Sequence, residues 1–553
     1  MPLETPVRIV RELAGRGYNA EQTAVTLIAG ADDPARALER VVDAADDDAL
    51  RITAEDVRAA LADGTAAAPS PDPQHPSTSG GIEDRNRQTE SDIDSKSSPV
   101  EAEVSEERES AARDGSAVGA TGGTGASDAT GAADTGSVAS AADAAGRTVD
   151  PSLRSLEVSG DITGQSTGTG EYEDFVKVFR DRYEKLSRQL RGRVNHRPAE
   201  AIQSMNGGSD AAMIGLVNDI RSTKSGHWLV ELEDTTGTFP CLVMKDRDFA
   251  GLVDELLLDE CIAVEGTLSD DAGIMFVDSL YFPDVPRTYS PNTADREVQA
   301  ALISDVHVGS EEFEADAWGR FADWLHTEEA ARVEYLLIAG DMVEGVGVYP
   351  GQDEELDIVD IYEQYEAFSE HLKDVPGDVE ILMIPGNHDA VRLAEPQPGF
   401  DERLRDIMTA HDARITGNPS LVTVEGVKIQ MYHGVSLDEV IAELPEEKAS
   451  YDDPHKAMYQ LLKKRHVAPQ FGGKTRLAPE EKDYLVMEEV PDVFHTGHVH
   501  KLGWGKYHNV LAVNSGCWQA QTDFQKSVNI DPDVGYAPIL DLDTLDMTVR
   551  KFS

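Results

Sequence analysis

The chain has 553 residues, of which 40% are hydrophobic, so its length predicts three or four domains with cores of their own. No apolar run approaches the roughly 18 residues that a membrane-spanning helix needs, and no secretory signal is visible at the N-terminus. The three cysteines form no CxxC pair, which argues against a disulfide framework or a structural zinc site. We therefore expect a cytoplasmic protein without a membrane partner.

The formal net charge of -54 at pH 7 would ordinarily argue against contact with nucleic acid. However, an acid-rich and lysine-poor composition throughout the chain is typical of proteins from extreme halophiles. In molar salt the Debye length falls to about 3 Å, so the global repulsion is screened. The charge therefore reflects the solvent more than the partner, and DNA contact would depend on metals and local basic patches.

Residues 1–65 are predicted to form a small helical domain. Apolar residues recur at helical spacing from Pro6 and from Ala35, and Thr53 with Asp56 has the pattern of a helix N-cap. This domain is either a partner-binding module or a solubilising appendage. Residues 66–168 contain almost no large apolar side chains and are predicted to form a disordered acidic linker.

Residues 171–198 are predicted to form one amphipathic helix. Its apolar positions recur every three or four residues between Tyr172 and Leu190, and its other face is rich in lysine and arginine. In such an acidic chain, this basic face is either a contact for nucleic acid or a partner, or a solvated surface.

Residues 205–290 alternate like five short antiparallel strands, with a helix predicted between the third and the fourth. This order is typical of an OB-fold β-barrel. OB-folds bind single strands through basic grooves and aromatic side chains, and these strands carry few candidates for either. We therefore favour a protein-contact role for this domain.

Residues 297–553 alternate between apolar strands and helices, which predicts a layered α/β domain. Five of its apolar strands are each followed by a side chain able to bind a metal. These side chains are Asp305 and His307, then Asp341, then Asn387 with His388 and Asp389, then His433, and finally His498 with His500. Because carboxyl ends of strands converge in such sheets, we expect these residues to share one crevice.

The residue types in this set suit two divalent ions that share one carboxylate. Imidazole and carboxylate together favour manganese, iron or zinc over magnesium. Paired ions roughly 3.5–4 Å apart can clamp a phosphodiester. His411, His466, His495 and His508 do not follow the pattern, and we expect them on the surface or behind the ligands.

The ordered motifs Asp-x-His, Gly-Asp, Gly-Asn-His-Asp, His-Gly and Gly-His-x-His resemble those of the calcineurin-like metallophosphoesterases, whose fold is a β-sandwich with flanking helices. This resemblance implies two metal sites, one made by Asp305, His307, Asp341 and His500, the other by Asp341, Asn387, His433 and His498. It also implies that His388 lies near the leaving oxygen as a general acid, with Asp389 orienting it.

Within this superfamily, the barrel that precedes the domain and the insert from Pro454 onward resemble the small subunits of archaeal family D DNA polymerases. The resemblance implies a 3′→5′ exonuclease on single-stranded DNA that uses two divalent ions, most simply manganese, and a large catalytic subunit as partner. The alternatives are a stand-alone repair nuclease or phosphatase, and a purely structural polymerase subunit. A basic segment near the site either guides the DNA strand, docks the large subunit, or is a solvated loop; it contains Lys463, Lys464, Arg465, Lys474 and Arg476.

Overall fold

The computed structural model describes residues 19–20, 22–29, 31, 34–44, 51–52, 57–60, 149–166, 168–349, 352–527 and 530–553. These residues belong to two compact units, one before and one after residue 130. Among the helices of these ranges, none is long and apolar enough to cross a membrane.

The first unit is a small module that buries a few aliphatic side chains. Its core includes Ala24, Ile28, Leu38, Val41 and Ile52. Its described elements are strands β1 (Asn19–Ala20) and β2 (Arg51–Ile52), which pair in parallel, and helices α1 (Gln22–Ala29) and α2 (Pro34–Ala44). The helix predicted from Ala35 is confirmed. The helix predicted from Pro6 and the cap at Thr53 lie outside the described residues.

The second unit begins earlier than the sequence predicted, because residues 149–166 are part of the fold. Pro151–Leu153 forms a 3-10 turn, and strand β3 (Leu156–Ser159) pairs antiparallel with the strand Ser420–Val424. Leu156 and Val158 pack on a large hydrophobic core, and Ile162 is fully buried. The predicted disordered linker of residues 66–168 is therefore wrong at its C-terminal end; residues 66–148 lie outside the described residues.

Helix α3 spans Tyr172–Leu190, and the short helix α4 spans Ala199–Gln203. The predicted single helix of residues 171–198 is thus too long, since three turn residues follow α3 and the chain then has no regular secondary structure up to Pro198. Basic side chains of α3 also form ion pairs with carboxylates of the same chain. Arg182 is fully buried, and Lys185 pairs with Asp181 at 2.7 Å.

Residues 210–281 form a closed five-stranded barrel with strand order β4-β5-β6-β8-β7. A 3-10 helix, Ala250–Glu255, lies between the third and fourth strands. These are the features on which the OB-fold prediction was based. The strands are β4 (Asp210–Ser222), β5 (Trp228–Asp234), β6 (Gly237–Val243), β7 (Cys261–Leu268) and β8 (Met275–Tyr281).

The remaining strands form two six-stranded mixed sheets, ordered β12-β11-β10-β9-β18-β19 and β16-β17-β15-β14-β13-β3. Their strands are β9 (Gln299–Ile303), β10 (Val333–Ala339), β11 (Glu380–Ile384), β12 (Arg414–Ile415), β13 (Ser420–Val424), β14 (Val427–Met431), β15 (Val493–Thr496), β16 (Leu502–Tyr507), β17 (Val510–Ser515), β18 (Tyr536–Asp541) and β19 (Asp546–Lys551). Their helices are α5 (Ala315–Leu325), α6 (Ile361–Leu372), α7 (Glu402–Ile407), α8 (Leu437–Glu443), α9 (Pro454–Lys464) and α10 (Asp523–Ser527).

The two sheets face each other and share a core, while helices cover their outer faces. The alternation of β9 shows this arrangement, because Ala300 and Leu302 join the core between the sheets. Ala301 and Ile303 point the other way, into a core with α5 and α6. Helices α8 and α9 pack on the outer face of the second sheet. The layered domain is thus a sandwich of two sheets with flanking helices, and strand β3 belongs to it in addition to the predicted residues 297–553.

The barrel and the layered domain are joined by buried charges, which corrects one functional prediction. Lys463 Nζ contacts Glu255 at 2.6 Å, and Lys464 Nζ lies 3.4 Å from Glu260 with both side chains fully buried. Arg465 donates to two backbone carbonyls and is also buried. Lys463 and Lys464 thus face the barrel, and Arg465 is bound by backbone carbonyls. The three cations therefore form no open surface for DNA or a partner.

A second buried cluster fixes α3 to the layered domain. Arg182 Nε lies 2.6 Å from Asp483 Oδ2, and His466 Nε2 donates to the same oxygen at 2.9 Å. His466 Nδ1 accepts the N–H of Ala468, so the ring is neutral in this geometry. Burial, with the charge of Arg182, accordingly lowers the pKa of His466 to about 4.

Arg182→Met is expected to lower the free energy of unfolding by about 3–5 kcal/mol, because it leaves the carboxylate of Asp483 buried with one fewer partner. The matched control is Arg180→Met, two residues earlier on the exposed side of α3, which is expected to change it by about 0.5 kcal/mol or less. Denaturant unfolding in molar salt measures both. Equal stability of the two variants would contradict the role of the pair.

Candidate metal centre

The five predicted motifs meet at one end of the layered domain, where β9, β10, β11, β14 and β15 terminate. Five of their residues have left-handed backbone conformations, with φ between 52° and 72°. These are Asp305, His307, Asp341, His498 and His500. Side-chain-bearing residues rarely adopt this conformation, and such strain is concentrated at functional sites. The motifs come from two facing sheets, since β9, β10 and β11 belong to one and β14 and β15 to the other.

The first cluster comprises Asp305, His307 and His500, all buried. The Nε2 atoms of the two histidines are 3.1 Å apart. Asp305 Oδ1 lies 3.4 Å from His500 Nε2 and 3.9 Å from His307 Nε2. Both oxygens of Asp305 accept the backbone N–H of His498, which fixes the carboxylate. The structure thus brings together the aspartate and histidines of the first and last motifs.

The second cluster comprises Asp341, His433 and His498, with Asn387 beside it. His433 Nε2 lies 3.1 Å from Asp341 Oδ2 and 3.0 Å from Asn387 Oδ1. Asp341 Oδ2 is also 3.8 Å from Nε2 of His307 in the first cluster. Asp341 therefore lies between the two clusters, as a carboxylate shared by two ions would.

The glycine before Asp341 is required by close packing at the site. Gly340 has a φ of 92°, and a Cβ at this position would lie 2.5 Å from His433 Nδ1. A side chain here would therefore displace either the imidazole or the backbone of Gly386, whose Cα would be 2.9 Å away.

Hydrogen bonds on the outer side of the site fix which ring nitrogen faces inward. His433 donates its Nδ1–H to the carbonyl of Ala339 at 2.8 Å. His307 donates its Nδ1–H to the carboxylate of Glu344 at 2.8 Å. In both rings Nε2 is therefore the nitrogen that faces the carboxylates, which is the arrangement in which imidazole binds a metal.

His388 is held in the same way but lies beside the clusters. Its Nδ1–H donates to the backbone carbonyl of Glu344 at 2.7 Å, and its backbone N–H donates to Asp341 Oδ1 at 2.8 Å. Its ring lies against that of His307, with centroids 4.8 Å apart. The side chain of His388 forms part of the wall of a cavity, and Nε2 is the ring nitrogen that this hydrogen bonding leaves for a ligand there.

Asp389 does not orient His388, which corrects the role that the resemblance implied. Its Oδ1 accepts the hydroxyl of Tyr365 at 2.9 Å, and its Oδ2 accepts the backbone N–H of Gly386 at 2.8 Å. Burial and the nearby charge of Asp341 raise the pKa of Asp389 to about 7. This residue braces the loop that carries Asn387 and His388, and it does not line the cavity.

Glu344 is a site residue that the sequence reasoning missed. Its carboxylate accepts the Nδ1–H of His307 and an N–H of Gln519 at 2.7 Å, and its carbonyl holds His388. Burial would raise the pKa of Glu344, but the facing His307 and His388 lower it to about 2. Its place three residues after Asp341 was the available signal.

Glu344→Gln is expected to lower hydrolysis about 10–100-fold, because the neutral amide no longer fixes the proton on His307 Nδ1. The control is Glu354→Gln, an exposed position in the same segment, which is expected to leave activity unchanged. Activity titrated against manganese concentration measures the effect. If the Glu344 variant showed the activity and manganese dependence of the control, the positioning role would be wrong.

Opposite charges stabilise each other at the shared position. Burial disfavours the charged form of both Asp341 and His433. Their mutual attraction outweighs this effect, holding the pKa of Asp341 well below its usual value and raising that of His433 to about 10. A cation bound at Asp341 would compete with a proton on His433 for the same carboxylate.

The donor set fits divalent metal ions. Imidazole Nε2 atoms and carboxylate oxygens converge from several motifs, and the outer ring nitrogens of His307 and His433 are hydrogen-bonded. A cavity of about 140 Å³ opens beside them. Its walls include Tyr349, Tyr451 and Asp438, the last 3.4 Å from His498 Nε2.

The remaining predicted contact residues, Lys474 and Arg476, lie in the segment after α9. Both side chains are exposed. Burial raises the pKa of Asp438, but His498 and, to a smaller extent, the charge of Lys474 lower it, and the net result is a lowered pKa. Lys474 and Arg476 stay candidates for contact with DNA or a partner.

His466 and His495, predicted to lie on the surface or behind the ligands, are both buried. His466 belongs to the Arg182 cluster, whereas His495 hydrogen-bonds Ser515, whose hydroxyl contacts that of Ser304 next to Asp305.

The chain is similar to several known proteins. The family of the B subunits of DNA polymerases alpha and epsilon matches residues 300–502. A Halobacterium salinarum protein named DNA polymerase II small subunit is 64% identical over the whole of both chains. Proteins of the same name from Archaeoglobus fulgidus (44% identical, 70% of this chain, 79% of the relative) and Methanocaldococcus jannaschii (39%, 72% and 68%) also match.

Among solved structures, part of the chain is similar to the asparaginyl-tRNA synthetase from Pyrococcus horikoshii. The match covers 16% of this chain and 22% of that one, at 15% identity and a TM-score of 0.15, which is too low to support an argument. Fold and site define a class of protein that combines a closed five-stranded barrel with a two-sheet domain carrying clustered histidines and aspartates. The chain belongs to the family of DNA polymerase II small subunits.

Proposed function

We propose that the chain is the small subunit of a heteromeric DNA polymerase and that its metal centre is a 3′→5′ exonuclease for single-stranded DNA. The subunit role, with a large catalytic subunit as partner, is supported by membership of the family. The nuclease role is supported by one observation above all, two histidine–carboxylate clusters that meet at Asp341 beside His388. The direction of digestion rests on the resemblance of the sequence motifs to those of archaeal family D small subunits.

Two divalent ions, manganese in preference to magnesium, iron or zinc, would neutralise the scissile phosphate at these clusters and lower the pKa of an attacking water towards about 7. Asp305, His307 and His500 are placed to hold one ion, and Asn387, His433 and His498 the other. Asp341 is placed to contribute to both. The chain keeps every ligand position, which favours an active nuclease over a purely structural subunit.

His388 is the residue placed to give a proton to the departing 3′ oxygen. Its Nδ1–H is committed to the carbonyl of Glu344, so only Nε2 is available to exchange protons at the cavity. General-acid groups of this kind accelerate reactions by about 10²–10⁴-fold. Loss of a nucleoside monophosphate then leaves a new 3′ hydroxyl on the strand.

Digestion of end-labelled DNA tests the proposal. In molar salt with manganese, the purified chain is expected to shorten 5′-labelled single-stranded DNA stepwise and to release mononucleotides first from a 3′ label. A phosphopeptide and a nucleotide phosphomonoester serve as comparison substrates for the phosphatase alternative. Hydrolysis of the phosphopeptide without digestion of DNA, or no manganese-dependent hydrolysis at all, would overturn the nuclease assignment.

A further inference from the structure

A second cavity, of about 360 Å³, lies between helix α3 and the barrel. Four aromatic residues of α3 line it, at helical spacings of three and four: Tyr172, Phe175, Phe179 and Tyr183. Phe471, from the segment after α9, closes one side, with ring centroids 5.1 Å from Phe175 and 5.5 Å from Phe179. We call this cavity the aromatic groove.

Two aromatic side chains of the aromatic groove are exposed to solvent and are not packed in a core. Tyr172 is 81% exposed and Phe471 is 46% exposed, although both rings adjoin a concave surface. The backbone N–H of Phe471 donates to Asp259 Oδ2 at 2.9 Å, so this side of the groove is fixed in place. Exposed aromatic side chains around a preformed cavity are typical of binding hot spots.

The charges of the aromatic groove decide which kind of partner it suits. Its lining contains three carboxylates, Glu233, Asp234 and Asp259, and one guanidinium, Arg180. Single-stranded DNA also stacks on aromatic rings, but it needs a cationic surface along its phosphates. A net negative lining repels phosphate at short range, whereas it attracts lysine or arginine on a polypeptide.

We propose that the aromatic groove receives an apolar segment of the catalytic subunit that carries at least one lysine or arginine. This rests on the subunit role of the proposed function and is independent of its nuclease role. The apolar side chains of the segment pack among Tyr172, Phe175, Phe179 and Phe471, and its cation faces Glu233, which is exposed at the rim.

Photocrosslinking tests this docking directly. The chain is purified as a complex with its co-expressed catalytic subunit, with p-benzoylphenylalanine placed at position 172. The matched control places it at position 504, because Trp504 is similarly exposed, at 48%, but lies on β16 outside the aromatic groove. Crosslinks to the catalytic subunit are expected from position 172 alone, within a segment rich in apolar residues that contains a lysine or arginine.

Affinity measurements provide the second test. The double variant Tyr172→Ala with Phe471→Ala, and separately Glu233→Lys, are expected to weaken binding of the catalytic subunit at least ten-fold, with Trp504→Ala as the control. All variants should keep the wild-type thermal unfolding profile and nuclease rate. If the aromatic variants bound within two-fold of wild type, or lost affinity for single-stranded DNA instead, the proposal would be overturned. A chain that forms no complex even when unchanged would overturn the subunit role itself.

Discussion

Replacing Asp341 by alanine is expected to remove both metal ions and nearly all hydrolysis. Asp341 Oδ2 is the carboxylate oxygen near both clusters, 3.1 Å from His433 Nε2 and 3.8 Å from His307 Nε2. Each ion supplies several kcal/mol of transition-state stabilisation, so loss of both predicts a fall of at least about 10³-fold in rate. Elemental analysis of the purified variant and digestion of 3′-labelled DNA measure the two effects.

One further variant separates the loss of the Asp341 charge from a loss of local structure, and another serves as a control. Asp341→Asn keeps an oxygen for the backbone N–H of His388, so it is expected to preserve the loop while still losing metal. Asp316→Ala removes an exposed carboxylate on α5 and is expected to change neither quantity. An Asp341→Ala protein that still bound two ions would contradict the bridging position.

The elements that the sequence predicted well are those with strong local patterns. Strand β11 is a short apolar run and β14 alternates apolar and polar residues, and a glycine-containing turn follows each of them. The candidate ligands could be named for the same reason, because each follows such a strand directly. That these ligands lie close together could be predicted from the rule that the carboxyl ends of such strands converge.

What the sequence could not predict depends on contacts between distant segments. The division of the motif strands between two sheets follows from pairings such as β14 with β15, which lie about sixty residues apart. Strand β3 has only four residues, and Leu156 and Val158 gain their burial from β13, more than 260 residues away.

Charged residues gave the other errors. Lys464 looks like a surface cation in a basic run, but its partners, Glu260 and the carbonyl of Glu255, are on the barrel. The same holds for Glu344, whose role arises from His307 and His388 in other motifs. A side chain of this kind shows its function only when the partners that compensate its burial are located.

Replacing His388 by alanine is expected nearly to abolish the digestion of DNA while leaving both metal ions bound, which distinguishes it from every ligand variant. Its ring is not part of either cluster around Asp341, and its Nδ1–H is directed to the carbonyl of Glu344. The variant therefore loses the proton donor without losing a central carboxylate. A decrease of about 10²–10⁴-fold in rate is expected at neutral pH.

The character of the leaving group gives this variant its sharpest test. A general acid matters most for a poor leaving group, such as the alkoxide of a DNA strand, and least for one that departs without a proton. His388→Ala is therefore expected to cleave a thymidine p-nitrophenyl phosphate ester at close to the wild-type rate while digesting DNA very slowly. His326→Ala, an exposed histidine whose Nε2–H donates to the carbonyl of Asp374, is the control and should resemble wild type on both substrates. Equal losses on the two substrates would show that His388 holds the metal centre together and does not donate the proton.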